Sequence, residues 1–522
     1  MSAAGPPQGA RPPGGAARSD VRGEPSSAVD TVAFDAARVL ARLPIAPREI
    51  TADSRRVESG FAFAAYRGQQ ADGRAYIADA IARGAGAVLW DPEGFAWSPG
   101  WTVANVAVPG LRGKLGAIAD RVYGAPSQSL TVIGVTGTNG KTTCAHWIAH
   151  ALERCGRRAA LVGTLGNGVV GALAPALNTT PDAALVHAML AGFRDAGVAA
   201  VAMEVSSHGL DQGRVNAVRF DTALFTNLTR DHLDYHATMA SYGAAKAKLF
   251  AWPGLRSRVI NTDDAFGRGL AADARARGAR VLTYGRSDAD VAATRLAATV
   301  DGIAIAVRTP WGAGEVAMKI SGEFNAVNAL GVLGVLLEGG IALDAALAAL
   351  ASLMPPAGRM QRLGGGTQPL VVVDYAHSPD ALAKALDALR PSVAGGGALV
   401  CVFGCGGDRD AGKRPEMGRI AAECADRIVV TSDNPRNESP AAIAEAIARG
   451  IPETARGRVA VELDRAAAID AAIANARDGD VVLIAGKGHE NYQERRGVRT
   501  RFSDAEVAAA ALGRRRAREP GA

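Results

Sequence analysis

The sequence has few of the features that mark secreted or membrane proteins. Five cysteines occur in its 522 residues: Cys144, Cys155, Cys401, Cys405 and Cys424. Their number and spacing fit neither a disulfide framework nor a set of metal ligands, so we expect reduced thiols. The most apolar stretch, residues 329–353, is interrupted by Glu338 and Asp344. We therefore expect a buried helix pair there instead of a membrane span, and a cytoplasmic protein.

The chain also has few aromatic residues and little excess of one charge. Aromatic residues make up 5% of the chain, and the net charge is only +6. The run "GRRRAREPGA", residues 513–522, contains no aromatic residue, so it indicates a solvated tail and not a nucleic-acid surface. Residues 1–30 are rich in Pro, Gly, Ala and Ser and lack the apolar core of a signal peptide. We predict that they form a disordered tail.

The length and the order of the apolar segments predict three α/β domains. Residues 31–127 hold short strands and helices and would form the first domain. In residues 128–355, β-rich runs such as "LTVIGVTG", "GVAAVAMEV" and "DTALFTNL" alternate with helical segments, which is typical of a parallel sheet covered by helices. A break follows at "MPPAGRM", residues 354–360. The alternation then restarts, so residues 356–522 are predicted to form a Rossmann-like domain.

A glycine-rich loop follows the first strand of the second domain. The stretch "IGVTGTNGKTT", residues 133–143, places Gly137 and Gly140 between a strand and a helix. Backbone N–H groups in such a turn, together with the helix N-terminus, can bind phosphate. Lys141 could neutralise phosphate oxygens, and the Thr142 hydroxyl could ligate Mg²⁺. The loop therefore predicts a nucleoside triphosphate site, although Val135 replaces the first glycine of the common GxxxxGK[ST] pattern.

Acidic and histidine side chains follow the neighbouring strands. Glu204 ends the apolar run of "VAMEVSSH", and "TNLTRDHLDYH" supplies Asp231 and His232 after the next strand. Because the carboxyl ends of parallel strands meet at one edge of a sheet, these residues are candidate magnesium ligands. On its own, His232 could also be a core or helix-capping histidine, which is the less favoured interpretation.

Taken together, the ordered motifs resemble the Mur ligase family. They are "GTNGKTT", "MEVSSH", "TNLTRDHLDYH", "YGAAKAKLF", "GEFNAVNAL", "GRM" and "DYAHSPD". Within that family, "DSRRVESGFAF", "FGCGGDRDAGKRP" and "SDNPR" followed by "GKGHENYQ" resemble the MurE type. The resemblance implies an ATP-dependent ligase of peptidoglycan synthesis. Such an enzyme adds the third amino acid to UDP-N-acetylmuramoyl-L-alanyl-D-glutamate through an acyl phosphate.

The resemblance also implies an ATP site and two Mg²⁺ ions. ATP would contact Gly137, Thr138, Asn139, Gly140, Lys141, Thr142 and Thr143. Thr142 and Glu204 would hold one ion, while His232 and Lys246 would help to hold the second. Lys246 matches a lysine that these ligases carry as an N-carbamate, which turns an ammonium into an anionic oxygen ligand. The catalytic set implied is Lys141, Glu204, His232 and Lys246; without the resemblance, Lys246 would be interpreted as a helix-surface lysine.

Substrate residues are implied in all three domains. The UDP-muramoyl-dipeptide would contact Ser54, Gln69, Gln70, Ala71, Asn178, Thr179, Thr180, Ser206, Gln212 and Arg214. Gln69 departs from a common form with histidine at that position. Adenine would lie near Asn325, with Arg359 and Asp374 approaching from the third domain across a hinge at residues 354–360. Closure of the third domain would therefore complete the site.

The motif "SDNPR" implies which amino acid such an enzyme would add as the third. Arginine can read a carboxylate with two parallel hydrogen bonds, and Arg436 in this motif resembles the enzymes that add meso-diaminopimelate, not L-lysine. The implied binding residues are Arg409, Asp433, Asn434, Pro435, Arg436, Gly486 and Glu490. We expect a monomer that acts on small molecules, without nucleic acid or membrane insertion.

Two kinds of alternative remain at this point. One keeps the fold but changes the substrate: a lysine-adding enzyme of the same type or, more remotely, a folate-polyglutamate ligase. The other is a nucleotide switch or nucleic-acid-dependent NTPase, which the phosphate loop and the pI near 9.2 would allow. Against it, the basic residues are scattered and form no stripe with aromatic residues.

Overall fold

The structure, a computed structural model, describes residues 34–69, 71–299, 302–366 and 368–518. The predicted tail at residues 1–30 lies outside the described residues. Within them, three sheets that are mainly parallel follow one another along the chain, and each is flanked by helices. This arrangement confirms the predicted three-domain α/β fold class. The described residues from Ala36 onwards group into one compact unit, so the exact domain boundaries stay predictions.

The first sheet is small and fully parallel, with strand order β1-β2-β3-β4. Its strands are β1 (Glu49–Thr51), β2 (Phe61–Ala65), β3 (Ala87–Trp90) and β4 (Ala104–Ala107). Its helices are α1 (Ala36–Leu40), α2 (Ile77–Ala82) and α3 (Leu111–Val122), with 3₁₀ turns at Ser54–Arg56, Gly73–Tyr76 and Pro126–Ser129. Phe63, Ile77 and Val88 are fully buried in its core, as the short apolar runs of the sequence require.

The central sheet has eleven strands in the order β15-β14-β13-β12-β11-β10-β5-β9-β6-β7-β8. The strands are β5 (Thr131–Thr136), β6 (Ala159–Gly163), β7 (Gly166–Val169), β8 (Ala172–Ala174), β9 (Ala200–Glu204), β10 (Thr222–Phe225), β11 (Ser257–Asn261), β12 (Val281–Gly285), β13 (Val291–Thr299), β14 (Gly302–Thr309) and β15 (Gly312–Met318). Seven neighbouring strands, from β6 to β13, run parallel, and antiparallel strands extend both edges.

Helices cover both faces of the central sheet. They are α4 (Lys141–Arg154), α5 (Ala183–Asp195), α6 (Ser207–Asp211), α7 (Leu233–His236), α8 (Met239–Ala247), α9 (Ala265–Ala276), α10 (Glu323–Glu338) and α11 (Leu343–Ala351), with a 3₁₀ turn at Lys248–Ala251. The last two form the predicted buried helix pair; twelve residues of α10 are buried. Within the described residues, no helix has the length and apolar content needed to cross a bilayer.

The third sheet has six strands in the order β16-β17-β21-β18-β19-β20, all parallel except β16. The strands are β16 (Gln361–Gly364), β17 (Leu370–Asp374), β18 (Leu399–Phe403), β19 (Arg427–Val430), β20 (Val459–Val461) and β21 (Val481–Ala485). A separate hairpin pairs β22 (Tyr492–Arg495) with β23 (Val498–Arg501). The helices are α12 (Pro379–Leu389), α13 (Lys413–Cys424), α14 (Pro440–Ala448), α15 (Arg465–Ala474) and α16 (Asp504–Arg518), with 3₁₀ turns at Arg390–Ser392 and Glu453–Arg458.

Candidate active site

The phosphate loop joins β5 to α4 at the carboxyl edge of the central sheet. Gly140 adopts φ 84°, and a Cβ there would lie 2.6 Å from Asn328 Oδ1, so only glycine fits without strain. A Cβ on Gly137 would collide with Thr226 Oγ1. Thr138 N donates to Asn227 O at 2.8 Å, which ties the loop to the end of β10. The loop therefore has the shape that the sequence predicts, with α4 beginning at Lys141.

Glu204 lies beside the start of α4, because β9 is the neighbour of β5 and Glu204 pairs with Val135 in register. Thr142 Oγ1 donates to Glu204 Oε2 at 2.9 Å. The Thr164 backbone N donates to Glu204 Oε1 at 2.7 Å, and its Oγ1 donates to Oε2 at 3.2 Å. The carboxylate is buried, with 1% of its surface exposed. These oxygen donors have the chemistry that Mg²⁺ prefers.

Two lysines meet at the phosphate loop. Lys141 Nζ donates to Gly137 O at 2.9 Å and to Thr138 O at 2.8 Å, while Lys246 Nζ donates to Gly137 O at 2.7 Å. Lys246 is buried, and its ammonium lies 4.3 Å from the centre of the Tyr242 ring. Burial lowers the pKa of Lys246 well below its usual range, and the charge of Lys141 lowers it further. The amine of Lys246 is thereby biased towards its neutral form, which is the form that can add CO₂.

His232 lies at the start of α7 with φ 54°, beside Asp231. Its Nε2 is 3.5 Å from Asp231 Oδ2. His377 of the third region (residues 356–522) approaches the same oxygen at 3.6 Å. Burial lowers the pKa of His232 to about 3, so its ring is neutral near pH 7 and retains a nitrogen lone pair.

The donor set suits Mg²⁺ only in part. Among the described residues, no group of three or more His, Cys, Asp or Glu side chains is placed to hold a metal. Thr142 and Glu204 fit one ion, since Mg²⁺ usually completes its coordination with water and substrate phosphates. Lys246 as an ammonium offers no lone pair and fits the second ion only as a carbamate.

The predicted residues for the muramoyl-dipeptide form a connected network. Thr180 Oγ1 donates to Glu204 O at 2.9 Å and contacts Ser206 Oγ at 3.1 Å. Arg214 donates to Thr180 O at 2.7 Å and twice to Gln212 Oε1. Gln212 Nε2 in turn donates to Gln69 Oε1 of the first region at 3.1 Å. This network therefore spans the first region (residues 31–127) and the central region (residues 128–355).

Other predicted substrate residues lie around this network. Thr179 Oγ1 accepts from Thr164 Oγ1 at 3.1 Å, and Asn178 is exposed beside it. Ser54 is buried in its 3₁₀ turn, and Ala71 O accepts from Gly68 N at 2.9 Å. Neither of these two lines the central cavity. Gln70 lies outside the described residues.

The third region reaches the phosphate loop directly. Arg359 donates to Thr142 Oγ1 at 3.1 Å and lies 4.2 Å above the Tyr375 ring. Asp374 accepts from the backbone N of Met360 at 2.7 Å and of Ala376 at 2.9 Å, while burial raises its pKa. Asp380 Oδ2 accepts from Asn139 Nδ2 at 3.0 Å. Arg359 and Asp380 thus bring residues after position 356 into direct contact with the phosphate loop.

A single cavity of about 1260 Å³ connects these groups. The predicted site residues that line it are Gln69, Thr138, Asn139, Gly140, Lys141, Thr142, Thr143, Asn178, Thr179, Thr180, Glu204, Ser206, Gln212, Arg214, His232, Lys246, Asn325, Arg359, Asp374 and Arg409. They come from all three regions of the chain. The cavity is large enough for a nucleotide and a second substrate.

The predicted amino-acid residues cluster at the carboxyl ends of β19 and β21. Asn434 Nδ2 donates to Glu490 Oε2 at 2.7 Å. Gly486 adopts φ 115°, and a Cβ there would lie 2.6 Å from Asp433 Oδ2. Arg436 is half-buried at φ 49° and donates to Gly407 O at 2.8 Å. Pro435 places its carbonyl against Gly407, so only glycine fits there. Arg409 and Arg436 both flank Gly406.

Four contacts were missed by sequence reasoning. Thr164 binds the Glu204 carboxylate, Asp380 binds the phosphate loop, His377 approaches Asp231, and Lys487 binds Glu490. Thr164 and Lys487 each follow an apolar strand within a glycine-containing turn, which is a signal that the sequence offered. For Asp380 and His377, the sequence offered no signal beyond the "DYAHSPD" motif, because their partners are more than a hundred residues away.

Comparisons with known proteins identify the family of this chain. Family models match residues 48–123 (Mur ligase family, catalytic domain), 135–336 (Mur ligase middle domain) and 358–488 (Mur ligase, glutamate ligase domain). A protein of Chromobacterium violaceum named UDP-N-acetylmuramoyl-L-alanyl-D-glutamate--2,6-diaminopimelate ligase is 53% identical over 475 residues, covering 91% of this chain and 96% of that protein. The chain belongs to the Mur ligase family. A Pseudomonas aeruginosa protein of the same name is 54% identical over 467 residues, covering 89% of this chain and 95% of that one.

Solved structures show the same fold. A solved structure of a UDP-N-acetylmuramoyl-L-alanyl-D-glutamate--2,6-diaminopimelate ligase has a TM-score of 0.64 and 36% identity, covering 90% of this chain and 96% of that one. A MurF ligase from Thermotoga maritima in complex with ADP also has a TM-score of 0.64, covering 90% of this chain and 97% of that one. At 19% identity this second match shows the fold alone.

Proposed function

We propose that this Mur ligase adds meso-diaminopimelate to the D-glutamate of UDP-N-acetylmuramoyl-L-alanyl-D-glutamate, with ATP hydrolysed to ADP. The family and the relatives of about 50% identity support this function. The observation that carries it is the cavity in which the phosphate loop, Glu204 and residues of all three regions meet. We propose the cytoplasm as its location, and a monomer without nucleic acid as its working form.

The phosphate loop and Lys141 would hold the ATP phosphates. Lys141 lies at the start of α4, so its charge and the helix N-terminus act on the same anion. Thr142 and Glu204 would hold one Mg²⁺, and His232 with a carbamylated Lys246 would hold a second. These ions would screen the approach of the D-glutamate carboxylate to the γ-phosphate. The ligand roles of these four residues are part of the proposal.

The substrates would enter from different regions. Thr180, Ser206, Gln212 and Arg214 would bind the muramoyl-dipeptide, since hydroxyl, amide and guanidinium groups suit sugar and carboxylate recognition. The acyl phosphate formed there would be attacked by the amine of the diamino acid, held by the third region. Asn325, Arg359 and Asp374 would surround the nucleotide.

The decisive assay measures phosphate release and the mass of the product. Release that requires both UDP-muramoyl-dipeptide and meso-diaminopimelate is expected, with little or none when L-lysine replaces the diamino acid. Equal turnover with L-lysine would favour the lysine-adding alternative. Stimulation by DNA or RNA without the UDP substrate would contradict the ligase assignment altogether.

A further inference from the structure

Lys487 is a buried cation in the predicted amino-acid pocket. It follows β21 between Gly486 and Gly488, and its side chain is 0% exposed. Its ammonium donates to Glu490 Oε2 at 2.8 Å and to Asn434 Oδ1 at 3.1 Å. It also lies 5.4 Å from the centre of the Tyr492 ring. Both hydrogen-bond partners belong to the set proposed to bind the amino acid.

We propose that Lys487 is a positioning residue that orients Glu490 and Asn434 for the amino-acid substrate. This inference rests on the proposed function. In the described residues, both side-chain contacts of the Glu490 carboxylate, from Lys487 and Asn434, fall on Oε2. Oε1 is thereby left to accept a hydrogen bond from an ammonium group of the incoming diamino acid.

The same lysine determines which way the Asn434 amide points. Asn434 Oδ1 accepts from Lys487 Nζ and, at 2.9 Å, from Glu494 N. With both donors on Oδ1, Nδ2 must face Glu490. The Asn434 amide and the Glu490 carboxylate are therefore held in one orientation before any substrate arrives, and such pre-organisation lowers the entropic cost of binding.

A purely structural ion pair is the competing explanation. Asn434 and Lys487 follow β19 and β21, and the chain provides a matched ion pair at the opposite ends of these two strands. There, Arg427 at the start of β19 pairs with the buried Asp480 just before β21. That pair lies at the amino edge of the sheet, away from Glu490. Its removal should affect stability without affecting the amino-acid pocket.

The test compares steady-state kinetics of Lys487→Met with those of Arg427→Met. For Lys487→Met we expect the KM for meso-diaminopimelate to rise about tenfold or more, with the KM values for ATP and the UDP substrate unchanged. Arg427→Met should leave all three KM values unchanged, even if its melting temperature falls. If Lys487→Met does not fold, Lys487→Gln, which keeps an N–H donor, is measured instead and should show a smaller rise in the same KM.

A double-mutant cycle decides whether Lys487 acts through Glu490. Glu490→Gln combined with Lys487→Met should raise the KM for meso-diaminopimelate by clearly less than the product of the two single rises. Rises that multiply, or a KM within twofold of wild type in Lys487→Met, would overturn the inference. Failure of the wild-type enzyme to release phosphate with both substrates would instead overturn the proposed function.

Discussion

Lys141 and Lys246 donate to the same backbone carbonyl, that of Gly137, from helices a hundred residues apart in the chain. Two ammonium groups on one oxygen repel each other, and burial adds to the cost of each charge. Burial accordingly lowers the pKa of both lysines. Lys246 is the more deeply enclosed, and adding CO₂ would replace its positive charge with a negative one.

Lys246→Ala is expected to abolish most ligation while leaving the fold intact, because the proposed carbamate ligand is lost. Formate or acetate should restore part of the rate by placing an oxygen anion in the vacated space. Phosphate release and circular dichroism measure the two effects. Near-normal turnover of this variant in CO₂-depleted buffer would show that no carbamate is needed.

Lys141→Ala removes the charge that would stabilise the transferring phosphoryl group. Loss of one such electrostatic contact typically costs about 10²–10³ in rate. Binding of the UDP substrate, measured by calorimetry without ATP, should remain, since Ser54, Gln69 and Arg214 are untouched. An equal loss of that affinity would contradict the separation of the two sites.

Arg436→Ala should remove most activity with meso-diaminopimelate and change the weak activity with L-lysine far less. A site built for a polar partner can reject the analogue lacking it by about 10⁴–10⁵, because its own polar group is left unpaired. Arg495, an exposed arginine whose backbone pairs with that of Arg436, offers the control. Arg495→Ala should leave the ratio of kcat/KM for the two amino acids unchanged.

Much of the site was predictable because its residues follow strands. Apolar runs located β5, β9, β10, β19 and β21, and the parallel order of a sheet brings the residues after such strands to one edge. Glu204 was identified in this way, whereas Asn434 was named only through the family resemblance of the "SDNPR" motif. The role of Lys246 needed the resemblance entirely, since a lysine in an alanine-rich helix has no local signal for burial.

The rest depends on packing between distant segments. Strands β13 to β15 were not predicted. Buried and more exposed residues alternate along β14, but alanine at many positions hides this alternation in the sequence. The contact of Asn139 with Asp380 spans 241 residues and two domains. No local pattern specifies such a pair, and only the placement of α12 against the phosphate loop creates it.

Asp380→Ala should weaken ATP binding by loosening this contact between the third domain and the loop. A typical hydrogen bond contributes about 1 kcal/mol, so a rise of about fivefold in the KM for ATP is expected. The exposed pair of Asp470 with Arg514 lies in the same domain, and Asp470→Ala serves as the control. Unchanged KM for ATP in Asp380→Ala would show that the contact does not support the nucleotide site.

The buried His187 of α5 faces the half-buried Asp120 of α3. His187 Nε2 lies 3.0 Å from Asn216 O, so this nitrogen must carry the proton of the neutral ring. The bare Nδ1 then faces Asp120 Oδ1 at 3.4 Å, and neither atom has a hydrogen-bond partner in the described residues. Burial raises the pKa of Asp120 to about 6 and lowers the pKa of His187 to about 4.

Asp120→Asn is therefore expected to stabilise the protein at pH 8 by about 1 kcal/mol, because it removes a half-buried charge and offers Nδ1 a donor. A carboxyl with a raised folded-state pKa favours folding fully below about pH 4 and loses that contribution as the pH rises through 6. The advantage of the variant should consequently shrink as the pH falls from 6 to 4 in melting experiments. The exposed Asp79, paired with Arg83, is the control, and Asp79→Asn should give no such gain. A lower melting temperature for Asp120→Asn at pH 8 would instead show that Asp120 and His187 form a favourable ion pair.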